Sequence, residues 1–212
     1  MVFIALSLLL RRCLLPLLAC TGLTSACCFA QPTFFAVEST PYDNQMARVQ
    51  PVLAAISSET ADEISLTAVN QWMSQLRRIP YRYSKQWQTP VEVSRTKRAD
   101  CKGKAIKLYE IMHAIGATDV RFVIGRHRAG DWFTHAWLEW ERADGIYVLD
   151  PTFNRRALKT AQQNSKTYIP LYAYEGSSRF RAVNTKGIAE KPPRAVAAGY
   201  ENWAWRNFAG LE

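Results

Sequence analysis

The stretch ADCKGKAIKLYE, residues 99–110, contains a cysteine that is remote in sequence from every other cysteine of the chain. The other four lie within the first thirty residues: Cys13, Cys20, Cys27 and Cys28. Cys101 follows Asp100, a good N-cap residue, and so lies where a helix is expected to begin. The N–H groups and dipole of a helix start favour a thiolate, the nucleophilic form of cysteine, and can also stabilise an oxyanion. This position favours a nucleophile over the alternative, a small residue buried in the core.

A cysteine nucleophile needs a base, and the chain has three histidines. His113 lies twelve residues further along the predicted helix. At 1.5 Å per residue it is about 18 Å from the cysteine, which is out of reach. His127, in GRHRAGD, is interpreted as a solvated loop residue. His135 lies in a predicted strand among aromatic residues, where a buried imidazole needs a polar partner. It is the candidate base, and a satisfied core histidine is the alternative.

Asp150 is the candidate partner for this histidine. The ADG turn predicts a tight hairpin, and neighbouring strands lie about 4.8 Å apart, so a carboxylate on the second strand can orient the imidazole. Register counting allows His135 and Asp150 to be close but does not fix the contact. Asp131 competes for the role, although it is more typical of a loop cap. Glu139 shares the face of His135 but lies two residue pairs further along.

The elements that must position these residues follow from the spacing of apolar side chains. Steps of three and four predict helices over residues 44–56 and 61–76, and a third over 101–115, ended by Gly116. Pro80 and Pro90 predict irregular chain before the third helix. Strands are predicted at residues 119–127, 130–141, 146–153 and 167–176. This order predicts an α+β fold, with N-terminal helices and the nucleophile helix packed on an antiparallel sheet.

Five segments, taken in order, resemble the transglutaminase-like superfamily, and in particular the bacterial transglutaminase-like cysteine proteinases. They are VNQWM, YRYSKQWQTPVEV, ADCKGKAIKLY, THAWLEW and YVLDPTF, spread over residues 69–153. The resemblance implies a papain-like core with Cys101 as nucleophile, His135 as general base and acid, and Asp150 as the residue that orients the histidine. Gln86 and Trp87 are further candidates to line the cleft or assist the oxyanion, with core packing as the alternative for Trp87.

The chain departs from the calcium-dependent members of that superfamily at one place. Those members have acidic residues around the cysteine, in a DCED-like pattern, whereas here the cysteine is followed by Lys102 and Gly103. These two residues offer no hard oxygen ligand, and the lysine repels a cation. We therefore expect no calcium and no other cofactor. A metal site is also disfavoured because histidine spacings of 14 and 8 residues match no familiar ligand pattern.

The N-terminus predicts export. Residues 1–30 resemble a signal peptide, with Arg11 and Arg12 before an apolar run and small residues before Ala30. A periplasmic location is expected, and a lipid-anchored envelope protein is the alternative because Cys20 and Cys27 each follow short lipobox-like segments. Residues 31–175 are predicted to form the catalytic domain. Residues 176–212 are predicted to be a C-terminal tail that is extended or packed back on the domain.

Charge and composition constrain the partners. The net charge of +9 falls to +7 without the leader, which favours attraction to anionic envelope surfaces. The basic residues, Arg126 and Arg128 among them, are dispersed, and no recognisable nucleic-acid module is present, so no nucleic acid is expected. The expected partner is a peptide or protein substrate, and the oligomeric state is left open.

The sequence therefore predicts an exported cysteine peptidase or amidase that works through a Cys-His-Asp triad and a thioester. A transglutaminase-type acyltransferase uses the same triad and is one alternative. A catalytically silent binding module of the cell envelope is the other.

Overall fold

The computed structural model describes residues 32–55 and 64–183. The predicted leader, residues 1–30, and the part of the predicted tail beyond residue 183 lie outside the described residues. The helices are α1 (Asp43–Met46), α2 (Gln50–Leu53), α3 (Leu66–Arg77), α4 (Pro90–Thr96) and α5 (Cys101–Ala114). The strands are β1 (Thr33–Ala36), β2 (Val120–Arg128), β3 (His135–Arg142), β4 (Gly145–Leu149), β5 (Leu158–Lys159), β6 (Thr167–Glu175) and β7 (Ser178–Val183).

The seven strands form one sheet in the order β1-β7-β6-β2-β3-β4-β5. Every pairing of these strands is antiparallel. In the hairpin of β3 and β4, Arg142 pairs with Gly145 next to the turn. Helix α5 packs directly on β3 and β2 at the middle of the sheet. The predicted α+β arrangement, with the helix that begins at Cys101 packed on an antiparallel sheet, is confirmed.

The helices cover one face of this sheet and enclose the larger core. Apolar residues of α5 interdigitate there with Phe122 and Ile124 of β2 and with Ala136 and Leu138 of β3. Because successive strand residues point to opposite faces, Val123 and Trp137 lie on the other face, in a smaller cluster with Val148, Tyr168 and Ala173. The start of β3 therefore reaches both the helix that begins at Cys101 and the side chains of the smaller cluster.

The helical region differs from the prediction at three places. The helix predicted over residues 61–76 begins at Leu66, after its N-cap Ser65, and residues 61–63 lie outside the described residues. The helix predicted over residues 44–56 is two short helices, because Pro51 has no N–H to donate and starts a new helix. Conversely, the chain around Pro90, predicted to be irregular, forms α4. Thr89 and Glu92 form a reciprocal capping box there, and proline at the first helical turn is well tolerated. This sequence signal was overlooked.

The sheet is also larger than predicted. Strand β6 corresponds to the predicted fourth strand. It pairs with β2, on the edge of β2 opposite to β3. Strands β1 and β7 add a further pair at that edge. The predicted domain end at residue 175 coincides with the turn between β6 and β7, and the sheet continues to Val183. In the two described ranges, no helix has the length and apolar character needed to cross a membrane.

Candidate active site

Cys101 is the first residue of α5, and Asp100 is its N-cap. The Asp100 side chain accepts a hydrogen bond from the Gly103 N–H at 3.1 Å and another from the Ser84 N–H at 3.1 Å. The second bond fixes the preceding loop to the helix start. Both Asp100 and the cysteine are buried. The predicted capped helix start is therefore present, and it places the sulfur at the positive end of the helix dipole.

Lys102 places a cation beside this thiol. Its side chain is only 14% exposed and forms an ion pair with the buried carboxylate of Asp100. The ammonium also lies over the ring of Tyr83, 5.0 Å from the ring centroid. A charge held by two partners in a poorly solvated place acts on its neighbours more strongly than a surface lysine would. The sequence already indicates a positive charge near the thiol at Lys102, and the structure shows the two partners that hold this charge in place.

His135 begins β3, and its ring contacts Asp150, which directly follows β4. The distance between His135 Nε2 and Asp150 Oδ2 is 2.8 Å, and both side chains are buried. The side chain of Cys101 is hydrogen-bonded to His135, and Nδ1 is the ring nitrogen left to face the sulfur. The structure thus brings together the three residues that the sequence singled out, in the order Cys101, His135, Asp150.

Gly125 of β2 pairs with His135 in the sheet, where β2 shifts register. A Cβ at this position would lie 2.1 Å from the carbonyl oxygen of Ile169 and 2.6 Å from the Trp137 ring. Any side chain would therefore push strands apart directly opposite His135. Glycine here allows the close approach of β6 that completes the surroundings of the histidine.

The Asp150 carboxylate is held by several donors besides the histidine. Its Oδ1 accepts from the N–H groups of Thr152 at 2.9 Å and Phe153 at 3.3 Å. Its Oδ2 accepts from the Tyr168 hydroxyl at 3.0 Å. Burial alone would raise the pKa of this carboxyl, but the histidine and these donors hold the pKa below its usual value. Asp150 is therefore an anion with a fixed orientation.

The charges of the site favour a thiolate next to an imidazolium. Burial would raise the pKa of the Cys101 thiol, yet Lys102 and the hydrogen bond from His135 outweigh burial and lower it. Burial would likewise lower the pKa of His135, but the Asp150 carboxylate raises it to about 10. Because the thiol becomes the stronger acid and the imidazole the stronger base, the proton belongs on His135.

Aromatic rings surround His135, and the ring of His127 is next to them. His127 lies in β2, not in the solvated loop that the sequence suggested, and that interpretation was wrong. It stacks on Phe153, with ring centroids 4.3 Å apart, and meets His135 edge-on at 5.7 Å. Burial and the neighbouring His135 lower the pKa of His127 to about 4. His127 is therefore neutral at physiological pH and adds no competing charge.

The other candidates lie elsewhere or have other partners. Asp131 accepts from the Arg128 N–H at 2.8 Å, as expected of a loop cap, and Glu139 pairs with Arg121 at 2.9 Å. Trp87 is buried in the larger core, which favours the packing alternative. The Gln86 side chain accepts from Arg48 at 3.1 Å. His113 stacks on Tyr109 of the same helix.

Two contacts near Cys101, His135 and Asp150 were not predicted from the sequence. Lys104, in the first turn of α5, is buried and donates to the carbonyl oxygen of Arg77 at 3.3 Å, and burial lowers its pKa to about 8. Arg77 donates in turn to the carbonyl oxygen of Thr152 at 2.7 Å, which ties α3 to the segment after Asp150. A lysine within an apolar helical stripe was the available signal for the first contact. The second depends on tertiary structure alone.

Within residues 32–55 and 64–183, no group of three or more His, Cys, Asp or Glu side chains is arranged to hold a metal ion. The carboxylate of Asp100, which precedes Cys101 in the chain, is paired with the Lys102 ammonium.

Comparison with solved structures finds distantly similar proteins. One is Legionella pneumophila LapG, a transglutaminase-like cysteine protease, at 14% identity and a TM-score of 0.48 over 70% of this chain and 83% of that one. Its calcium-bound form matches at 13% identity and a TM-score of 0.49, over 80% and 92% of the two chains. A candidate cysteine protease from Cytophaga hutchinsonii matches at 11% identity and a TM-score of 0.37, over 68% and 60%. A scan against protein-family models finds no match, and neither does a search of curated proteins.

These structures are what the chain is similar to, at identities of 11–14% and TM-scores below 0.5. The helix that begins at Cys101 and lies on an antiparallel sheet is a feature of the chain itself. We therefore base the assignment of a reaction on the geometry of its own side chains.

Proposed function

We propose that this protein is a cysteine hydrolase that cleaves peptide or amide bonds through a thioester. The observation that carries the proposal is the chain of contacts from the Cys101 thiol to His135 and from His135 Nε2 to Asp150 Oδ2 at 2.8 Å. A thiol, a base in contact with it and a carboxylate that orients the base are the parts that nucleophilic acyl transfer requires.

In the first half of the proposed reaction, the Cys101 sulfur attacks the carbonyl carbon and a C–S bond forms. The positive end of the α5 dipole, at Cys101, stabilises the negative charge of the developing oxyanion. His135 gives its proton to the leaving nitrogen as the C–N bond breaks. The amine product leaves, and the acyl group remains on the sulfur as a thioester.

In the second half, His135 takes a proton from a water molecule as the water oxygen bonds to the thioester carbon. The C–S bond then breaks, the acid is released and the thiolate-imidazolium pair is restored. Asp150 remains an anion throughout and keeps Nε2 of the imidazole directed away from the sulfur. If a primary amine takes the place of water, the same steps transfer the acyl group instead.

The proposal extends to where the protein acts and on what. We infer an exported protein, periplasmic or lipid-anchored, because residues 1–30 have the pattern of a leader. The net charge of +9 favours anionic envelope surfaces. The substrate would be a peptide or protein, and neither calcium nor nucleic acid would be required.

The test is product analysis with a peptide library made by digesting a bacterial proteome. We expect wild-type protein to create new peptide termini and Cys101→Ala to create none. Added putrescine would leave the products unchanged if water is the acceptor, and would yield amine adducts if the protein is an acyltransferase. A library untouched by the wild type, together with a Cys101 thiol that titrates like a free cysteine, would establish a silent binding module.

A further inference from the structure

The oxygen of Asp150 that contacts the histidine also receives a second hydrogen bond. Oδ2 lies 2.8 Å from His135 Nε2 and accepts from the Tyr168 hydroxyl at 3.0 Å. The other oxygen, Oδ1, accepts from backbone N–H groups of the turn that follows Asp150. The backbone bonds hold one end of the carboxylate, whereas Tyr168 is the side chain that sets the direction of the catalytic end.

Tyr168 reaches this position from a distant part of the chain. It lies in β6, eighteen residues after Asp150, and its side chain is buried. Its backbone φ of 51° is in the left-handed region, which a residue other than glycine rarely adopts. A strained backbone at a bulky residue persists only when its surroundings hold it there. This strained backbone is the second observation that indicates a specific role for Tyr168.

A third residue directs the hydroxyl proton. Asn154 Nδ2 donates to the Tyr168 oxygen at 2.7 Å. Because the amide already occupies a lone pair of that oxygen, the tyrosine proton is free to point towards Asp150. Burial and the Asp150 charge also raise the pKa of Tyr168, so its hydroxyl remains protonated and able to donate at neutral pH.

We propose that Tyr168 is a positioning residue of the active site, and that Asn154 supports it. The Tyr168 hydroxyl holds the Asp150 oxygen against His135. Through the imidazole, this contact stabilises the thiolate of Cys101. The hydrogen-bonded chain then has five members, in the order Cys101, His135, Asp150, Tyr168, Asn154. The inference rests on the proposed function, since it assigns a role within the same site.

Tyr168 also has a packing role that must be separated from this one. Its ring meets Trp137 edge-on at a centroid distance of 5.3 Å and His127 at 4.9 Å. Tyr168→Phe keeps the ring and removes only the hydroxyl, so it tests the hydrogen bond and leaves the aromatic packing in place. Asn154→Ala is a second variant, which keeps the tyrosine and removes the group that directs its proton.

The experiment measures the rate of Cys101 alkylation by iodoacetamide as a function of pH, with the labelled peptide identified by mass spectrometry. In Tyr168→Phe the carboxylate can turn away from the ring, the imidazolium loses support and the thiol becomes a weaker acid. We expect the midpoint of alkylation to rise by about half a pH unit to one unit, a three- to tenfold change in the equilibrium. Asn154→Ala should shift it in the same direction by less.

Tyr174→Phe is the matched control. Tyr174 lies on the same strand and is also buried, and its hydroxyl is hydrogen-bonded to Thr40 at 2.6 Å, whereas the Tyr168 hydroxyl donates to Asp150. Thermal unfolding of both tyrosine variants reports the general cost of losing a buried hydroxyl. The control should lose stability and keep the wild-type alkylation midpoint.

The outcomes separate this inference from the proposed function. A midpoint in Tyr168→Phe equal to that of the wild type and of Tyr174→Phe would overturn the inference, as would a shift to lower pH. A wild-type midpoint near the free-cysteine value of about 8.5 would overturn the proposed function itself. A depressed midpoint in the wild type that rises in Tyr168→Phe and not in Tyr174→Phe supports both.

Discussion

Asp100 and Asp150 are both completely buried, and both accept hydrogen bonds from backbone N–H groups near the same thiol. They differ in the cation that faces them. Asp100 is paired with Lys102 at the helix start, and its charge raises the pKa of the Cys101 thiol. Asp150 faces His135, raises the pKa of the imidazole and so favours the imidazolium that supports the thiolate. Two carboxylates of one type thus act on one sulfur in opposite directions.

The comparison shows that the partner decides the effect of a buried carboxylate. Asp150 acts through a titratable ring, so its charge moves a proton from the sulfur to the imidazole. Asp100 acts on the sulfur directly, where an anion opposes the thiolate, and Lys102 offsets this opposition. Changes at the two positions should therefore move the thiol pKa in opposite directions.

The largest effect is expected for Asp150→Asn. The amide cannot stabilise the imidazolium, so the pKa of His135 falls from about 10 and the pKa of the thiol rises. The alkaline limit of activity, set by loss of the histidine proton, should move to lower pH. We expect kcat to fall by about 10³- to 10⁴-fold, as when the corresponding carboxylate of a serine triad is replaced. Peptide cleavage measured across pH checks this, and an unchanged alkaline limit would contradict it.

A smaller loss is expected for Lys102→Met. This change removes the cation that lowers the thiol pKa and leaves Asp100 buried without it. The thiol pKa should rise, and the rate near neutral pH should fall by about tenfold for each unit of that rise. Stability should also fall, since an unpaired buried carboxylate is costly. The double variant Asp100→Asn/Lys102→Met is the control, because it removes both charges and should recover stability. A thiol pKa unmoved in the single variant would refute the electrostatic role of Lys102.

Asp100→Asn should have the opposite effect on the thiol. Asparagine caps helices about as well as aspartate, so the cap is kept while the charge is lost. Because the Asp100 charge raises the thiol pKa, its removal should lower that pKa and extend activity to more acidic pH. We expect kcat within about tenfold of the wild type, with lower stability because Lys102 loses its partner. The pH dependence of Cys101 alkylation checks the direction, and a rise would show that the two aspartates do not differ as described.

The smallest effect is expected for calcium removal. The carboxylate beside the nucleophile is paired with an ammonium, which repels a divalent cation. Peptide cleavage should therefore be equal in EGTA and in added calcium. A rate that falls in EGTA and returns with calcium would contradict this prediction. It would show that the Lys102 ammonium does not take the place of a calcium ion beside Asp100.

Local signals in the sequence identified the parts of the site that are close in sequence. Asp100 before Cys101 predicted the helix start. The ADG turn predicted that the strand that ends near Asp150 pairs with the strand that contains His135. Pro51 divided a helix that apolar spacing alone made continuous, and the Thr89-Glu92 capping box was present but overlooked.

The contacts that were not predicted depend on strand order. Tyr168 reaches Asp150 because β6 pairs with β2, and no spacing in the sequence specifies that pairing. The same pairing brings Ile169 against Gly125, and it encloses His127, which composition alone had placed in solvent. Sequence therefore singled out Cys101, His135 and Asp150, which the structure brings together, whereas the surroundings that fix their orientation required the assembled sheet.

The central claim is that Cys101 and His135 form a thiolate-imidazolium pair supported by Asp150. The direct measurement is the ultraviolet absorbance of the thiolate as a function of pH, taken as the difference between wild type and Cys101→Ser. We predict a thiolate that forms well below the free-cysteine value of about 8.5 in the wild type, and close to or above that value in Asp150→Asn. A wild-type thiol that ionises near the free value, or one that Asp150→Asn leaves unmoved, would contradict the account.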